Sequence, residues 1–300
     1  MVFCLRPHKP ADRAFLFFSN LIIIRLEILP LTEAVKSKID QLVRSQLSPD
    51  GRLLDLDDKE IGQEELTLLA EREELATVKQ LYLSHNFLTG KAIEILAGSK
   101  VFSNLRSLYL NHNNLGDDEA ELIAQSPVIK NLTCLMFEAN TIGPKGAESL
   151  ANSASLQTLE TLFMDTNPIG PQGAEAIGKS TQLPNLRALH LDSTGLGDEG
   201  AIYLANSPQL DHLTKLYLCS NKIGDQGAIA LANSPYLTNL TALSLWRNEI
   251  RDAGGKAIAE SKNFAKLERL YMSLNLIDRP VRKIIRKSEL AGRLKTLVMD

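Results

Sequence analysis

The sequence predicts an α/β solenoid: a stack of like units, each giving one strand to a parallel sheet and one helix to the layer behind it. Three observations predict it. A turn residue recurs every 27 positions, at Asn86, Asn113, Asn140, Asn167, Thr194, Asn221, Asn248 and Asn275, with no insertion between them. Leucines at strand spacing precede each one. A glycine- and alanine-rich stretch at helical spacing follows. A unit this short cannot bury its apolar face alone, so its copies stack around one continuous core.

The elements follow in chain order. Residues 1–50 form an N-terminal extension and residues 51–300 the repeat domain. Ala14 to Ile24 is apolar and follows Arg6, Lys9 and Arg13, the outline of a secretion signal. Asn20 interrupts the run, Arg25 and Glu27 follow it, no small-residue cleavage site appears, and the length falls short of a membrane span. The segment is read as a packed or disordered extension without stable membrane insertion. Thr32 to Leu47 then places Val35, Ile39, Leu42, Val43 and Leu47 on one helical face, with Thr32 as its cap and Pro49 past its end. This predicts a helix that covers the open end of the first repeat. Residues 51–62 are a degenerate first repeat, with Leu54, Leu56 and Ile61 in phase and Lys59 at the asparagine position.

The unit from Leu213 to Leu237 shows the chemistry most clearly. Leu213, Leu216 and Leu218 alternate into the core, while Lys215, Tyr217 and Cys219 point the other way. Asn221 closes the turn, because its amide both donates to and accepts from backbone groups the bend leaves unpaired. Ile223 re-enters the core. A helix is predicted from Gln226 to Asn233, with Asp225 capping its free amides and Gly227 and Ala228 allowing close approach to the sheet. Leu231 and Ala232 supply its buried stripe, and Ser234 with Pro235 ends it. Further on, Arg279 to Lys295 is a basic cluster, read as one helix from Pro280 with Val281, Ile284 and Ile285 inward and a solvated cationic face outward. Leu294, Leu297 and Met299 are in phase for an unfinished tenth strand after about nine units.

The pattern LxxLxLxxN followed by IGDxGAxxLAxS resembles the ribonuclease-inhibitor-like class of leucine-rich repeats over roughly residues 51–300. The resemblance implies a horseshoe with a parallel concave sheet and convex helices. Two departures stand out. The units keep one length instead of alternating two, which implies uniform curvature. Thr194 replaces an asparagine with a hydroxyl that forms fewer bonds, a local weakness.

Composition bounds the function. A formal charge of −3 argues against nucleic acid as partner, since phosphate neutralisation requires a basic surface. Three cysteines make no disulfide framework, and strand spacing puts Cys134 and Cys219 on the order of 14 Å apart. Function must come from the surface the repeats present. One outward column of the sheet holds Tyr82, Tyr109, Met136, Phe163, His190, Tyr217, Ser244 and Tyr271. Its neighbour holds Asp57, Ser84, Asn111, Glu138, Asp165, Asp192, Cys219, Trp246 and Ser273, with Arg247 following. Rings beside acids have the composition of protein-interface anchors, while the plainer reading is that tyrosine suits strands and acids keep a face soluble. The candidate partner-binding residues are Tyr82, Tyr109, Glu138, Phe163, Asp165, His190, Asp192, Tyr217, Trp246, Arg247 and Tyr271.

Catalytic arrangements are weaker. Asp58, His85 and His112 share a register position, yet they lie on a rim where polar residues are the default, so no metal site is assigned. His190 and Asp192 share a face without a nucleophile or an oxyanion hole, and IGDxGA recurs too often to be a phosphate loop. The expectation is a non-enzymatic module, without cofactor, that grips a partner protein bearing a basic patch and acts as a monomer. Uniform repeats are similar to those of effectors of intracellular bacteria, which implies a host protein as partner and either a cytoplasmic location or secretion without a cleaved signal. The alternative is a regulator of a small GTPase, since GTPase-activating proteins for Ran resemble this repeat class.

Overall fold

The computed structural model describes residues 33–300. The apolar segment Ala14–Ile24, Cys4 and the Thr32 cap lie outside them. Contacts divide the chain into Met1–Ser45 and Gln46–Asp300. A helix (α1) runs through residues 33–46, with Ile39 and Val43 as its buried side chains.

The second unit is the solenoid. Ten three-residue strands lie in sequence order in one sheet. They are β1 Leu53–Asp55, β2 Gln80–Tyr82, β3 Ser107–Tyr109, β4 Cys134–Met136, β5 Thr161–Phe163, β6 Ala188–His190, β7 Lys215–Tyr217, β8 Ala242–Ser244, β9 Arg269–Tyr271 and β10 Thr296–Val298. Every pair is parallel and in register at the sequence period, so Leu81 faces Leu108 and Leu108 faces Leu135. Helices form the second layer: α2 Gln63–Ala70, α3 Gly90–Gly98, α4 Asp117–Ala124, α5 Pro144–Ala151, α6 Gly170–Lys179, α7 Gly197–Ala205, α8 Asp225–Asn233, α9 Asp252–Glu260, α10 Arg279–Ile285 and α11 Glu289–Arg293. The core lies between the layers. In the β7 unit it takes Leu213, Leu216, Leu218, Ile223, Ala228 and Leu231, all fully buried. Each such leucine stabilises by roughly 1.5–3 kcal/mol.

Side-chain ladders then join one unit to the next. The asparagines form the first. Asn113 Oδ1 accepts from the Asn86 amide at 3.0 Å, and Asn113 Nδ2 donates back to the Leu83 carbonyl at 2.9 Å. Asn86 in turn accepts from the amides of Lys59 and Ile61, so the ladder reaches the degenerate first repeat. Aspartates form the second, and here the expectation is corrected. Asp225 opens α8 and caps the helix of the following unit, accepting from the Arg251 and Gly254 amides at 2.9 and 2.7 Å. Asp198 does the same for Gly224 and Gly227, and Asp117 for Gly143 and Gly146. A carboxylate at one helix start satisfies the free amides of its neighbour, because stacked helices bring the two termini together. Serines form the third ladder: Ser126, Ser153, Ser234 and Ser261 each donate to the alanine carbonyl 29 residues earlier, at the end of the preceding helix.

The C-terminal basic segment is also corrected. It forms two helices, with Ser288 capping the second through a bond from the Ala291 amide. Val281 and Ile285 point inward, but Ile284 is 57% exposed. Arg282 and Arg286 donate to the carbonyls of Asp300 and Met299, and Lys295 pairs with Glu268 at 2.7 Å.

Candidate interaction face on the sheet

The helices cover one side of the sheet and leave the other to the outward residues of the strands. Register sets these in columns. Tyr82, Tyr109, Met136, Phe163, His190, Tyr217, Ser244 and Tyr271 face one another in turn across β2 to β9. The rings are half-buried, and all but Tyr271 stack on a neighbour. Tyr82 and Tyr109 lie 3.9 Å apart and nearly parallel, while Phe163, His190 and Tyr217 form a triad with centroids 3.7 and 4.2 Å apart. Met136 separates the pair from the triad, and buried Ser244 separates the triad from Tyr271. Ring edges and hydroxyls, not ring faces, are therefore what the ladder offers. Burial, helped by the charge of Lys215, holds His190 down at about 4, so its imidazole is neutral within the stack at neutral pH.

The neighbouring column begins just past the strands. Its acids have structural work that the sequence did not disclose. Asp165 Oδ1 accepts from the Asp192 amide at 2.6 Å, and Asp192 Oδ1 from the Cys219 amide at 2.6 Å. Asn111 does the same for the Glu138 amide at 2.8 Å. Glu138 itself is exposed. Burial, with a smaller push from the charges of Asp192 and Glu138, raises Asp165 to about 7 against the pull of its amide bond. Trp246 follows β8 and is 37% exposed, with Arg247 exposed beside it.

The structure brings Phe163, Asp165, His190, Asp192 and Tyr217 together on adjacent strands. It places Tyr82 and Tyr109 on strands β2 and β3, and Tyr271 and Trp246 towards the other end. His85 and His112 stack at 4.2 Å, and among the described residues no group of three or more His, Cys, Asp or Glu is placed to hold a metal. Burial raises the thiols of Cys134 and Cys219 to about 11 and about 12, so both stay protonated at neutral pH. Cavities lie between helices: one of about 660 Å³ sits between α9 and the α10–α11 segment, and another is lined from α6 and α7. Among the described residues no helix is long and apolar enough to cross a membrane.

Sequence reasoning missed the left-handed rim. The residue before each ladder position, from Asp58 through His85, His112, Ala139, Thr166, Ser193, Ser220 and Arg247 to Leu274, has φ between 53 and 57°, and none is glycine. Composition gave no sign of it, since side chains of every kind occupy the position.

The profile of the leucine-rich repeat family matches residues 103–124, 128–151, 182–205, 209–232 and 236–259. No curated protein matches the chain. Each matched segment carries a strand, a turn and a helix of the parallel stack, and the fold is that of a leucine-rich repeat solenoid.

Proposed function

We propose that the open face of the sheet binds a partner protein, with the Phe163–His190–Tyr217 triad at the centre of the contact. Leucine-rich repeats are generally protein–protein interaction modules, typically non-enzymatic. The observation that carries the reading is the ring stack, held rigid by its own contacts and bordered by Asp165 and Asp192. Rigid rings lose little entropy on docking, and their hydroxyls and edges make directional contacts. Tyr82, Tyr109, Tyr271, Trp246 and Arg247 extend the face on either side. Glu138, Asp165 and Asp192 favour a basic patch on the partner and make association salt-sensitive. The protein acts as a monomer in this reading. The likeness of its uniform units to bacterial effectors supports a host protein as the partner.

Affinity capture with two sets of variants tests this. Tyr217→Ala together with Trp246→Ala should abolish capture, and reversing exposed helix-side charges such as Lys91→Glu should not. Capture that survives the first and is lost with the second would place the interface on the helices.

A further inference from the structure

The asparagine, aspartate and serine ladders join successive units along the solenoid, but all three fail together at one seam between complete units, that of β5–α6 with β6–α7. At the asparagine ladder, Thr194 turns its hydroxyl to Leu191 and Asn221, within its own unit and forward. Nothing from Thr194's side chain reaches back, and the Ile169 amide bonds the Asn167 carbonyl instead. The equivalent amides Ile142 and Ile223 bond Asn167 and Asn248 of the next unit. At the aspartate ladder, Pro171 stands where Asp117, Asp198, Asp225 and Asp252 stand in other units, so no carboxylate crosses to the start of α7. That start takes a different form, with Leu196 in the helical region and Gly197 at φ +60°. At the serine ladder, Ser207 donates to Tyr203 of its own helix at 2.6 Å, where Ser180 and Ser234 reach back to the preceding unit.

The adjoining seams keep more. Across β4–β5, where Pro144 also lacks the carboxylate, Asn167 and Ser180 still bridge. Across β6–β7 all three act, through Asn221, Asp198 and Ser234. What continues across the weak seam is the strand register, the apolar core, the Phe163–His190 stack, the bond from the Asp192 amide to Asp165, and two surface bonds, from Asn185 Nδ2 to the Gln157 carbonyl at 2.8 Å and from Gln157 Nε2 to Gln182 Oε1 at 3.0 Å.

We propose that this seam is a built-in hinge at which the solenoid opens first, dividing it into one block ending at α6 and another beginning at β6. In a repeat array, stability is a sum of unit and nearest-neighbour terms, so a single poorly stitched interface lowers the cost of parting there. The hinge lies beneath the ring triad, between Phe163 and His190.

Amide hydrogen exchange on the full chain tests it. The amides of Met164, Thr166 and Gly170, which bond carbonyls across the seam, should exchange at least about tenfold faster than the corresponding Phe137 and Ala139 or Leu191 and Ser193, after correction for intrinsic rates. Thr194→Asn restores the asparagine ladder. Gly178→Ala acts separately: its new Cβ would displace Ser207 Oγ and turn that hydroxyl back towards the preceding unit. Either variant should slow exchange at Met164, Thr166 and Gly170 and leave that at Phe137 and Ala139 unchanged. Uniform protection across the three seams in the unsubstituted chain, or a fast seam that neither variant slows, would overturn the proposal.

Discussion

At the scale of single residues, the turn after each strand is where physics and sequence part most clearly. Thr166 holds φ at 56°, a conformation that a β-branched side chain adopts at a cost of roughly 1–2 kcal/mol. The neighbouring bond from its amide to the Asp192 carbonyl fixes it there. Thr166→Asn, which tolerates this region, should stabilise the protein by about 1 kcal/mol in denaturant unfolding. Asp165 gives a second test. Its folded value of about 7 lies above the ordinary 3.8, so the folded state holds its proton more tightly than the unfolded one. The stabilisation is then complete below about 3.8 and lost as pH rises through 7. Asp165→Asn should therefore be more stable than the parent at pH 8 and nearly equal to it at pH 4. Equal stabilities at both would show that Asp165 ionises freely. Neither effect was legible in the sequence, which gives the charge of a column but not its burial.

At the scale of elements, the strands and helices were legible because the period repeats them, and their joints were not. The recurrent IGDxGA reads locally as a helix cap followed by a small residue. In the structure both belong to the neighbour as well. The carboxylate reaches the next helix, and the glycine is the residue that lets it in: a Cβ on Gly254 would stand 2.7 Å from Asp225 Oδ1 and 2.9 Å from both Ala228 Cβ and Ile250 Cγ2. Helix propensity favours alanine there by about 1 kcal/mol, whereas overpacking costs roughly 1–3 kcal/mol and also loses the cap. The second effect wins. Gly254→Ala should lower stability, and an unchanged or raised melting temperature would mean that the helices shift apart at little cost. The basic segment near residue 286 departs from its one-helix reading for a related reason: Ser288 offers a competing cap, and a new helix starts where the continuous hydrophobic pattern predicted none.

At the scale of the whole molecule, a fixed period and in-register strands determine which side chains share a column, so the membership of the ring and acid columns followed from the sequence alone. How those side chains meet did not. Stacking at 3.7 to 4.2 Å turns a row of rings into a pair and a triad, and burial makes the imidazole in the triad neutral. Asp165 and Asp192, read as surface acids, are also tied to backbone amides of the next unit. The face is thus preorganised on either side of the seam between Phe163 and His190. Its one tryptophan, Trp246, supplies the most direct measurement of the account's central claim, that this face binds a protein partner. Acrylamide quenching of the emission is followed while the captured partner is titrated, with Trp246→Phe subtracted as the blank. The account predicts that saturation shields Trp246 and that Tyr217→Ala weakens binding by about 2 kcal/mol or more. Tight binding with quenching unchanged, and with Tyr217→Ala binding as the parent does, would contradict it.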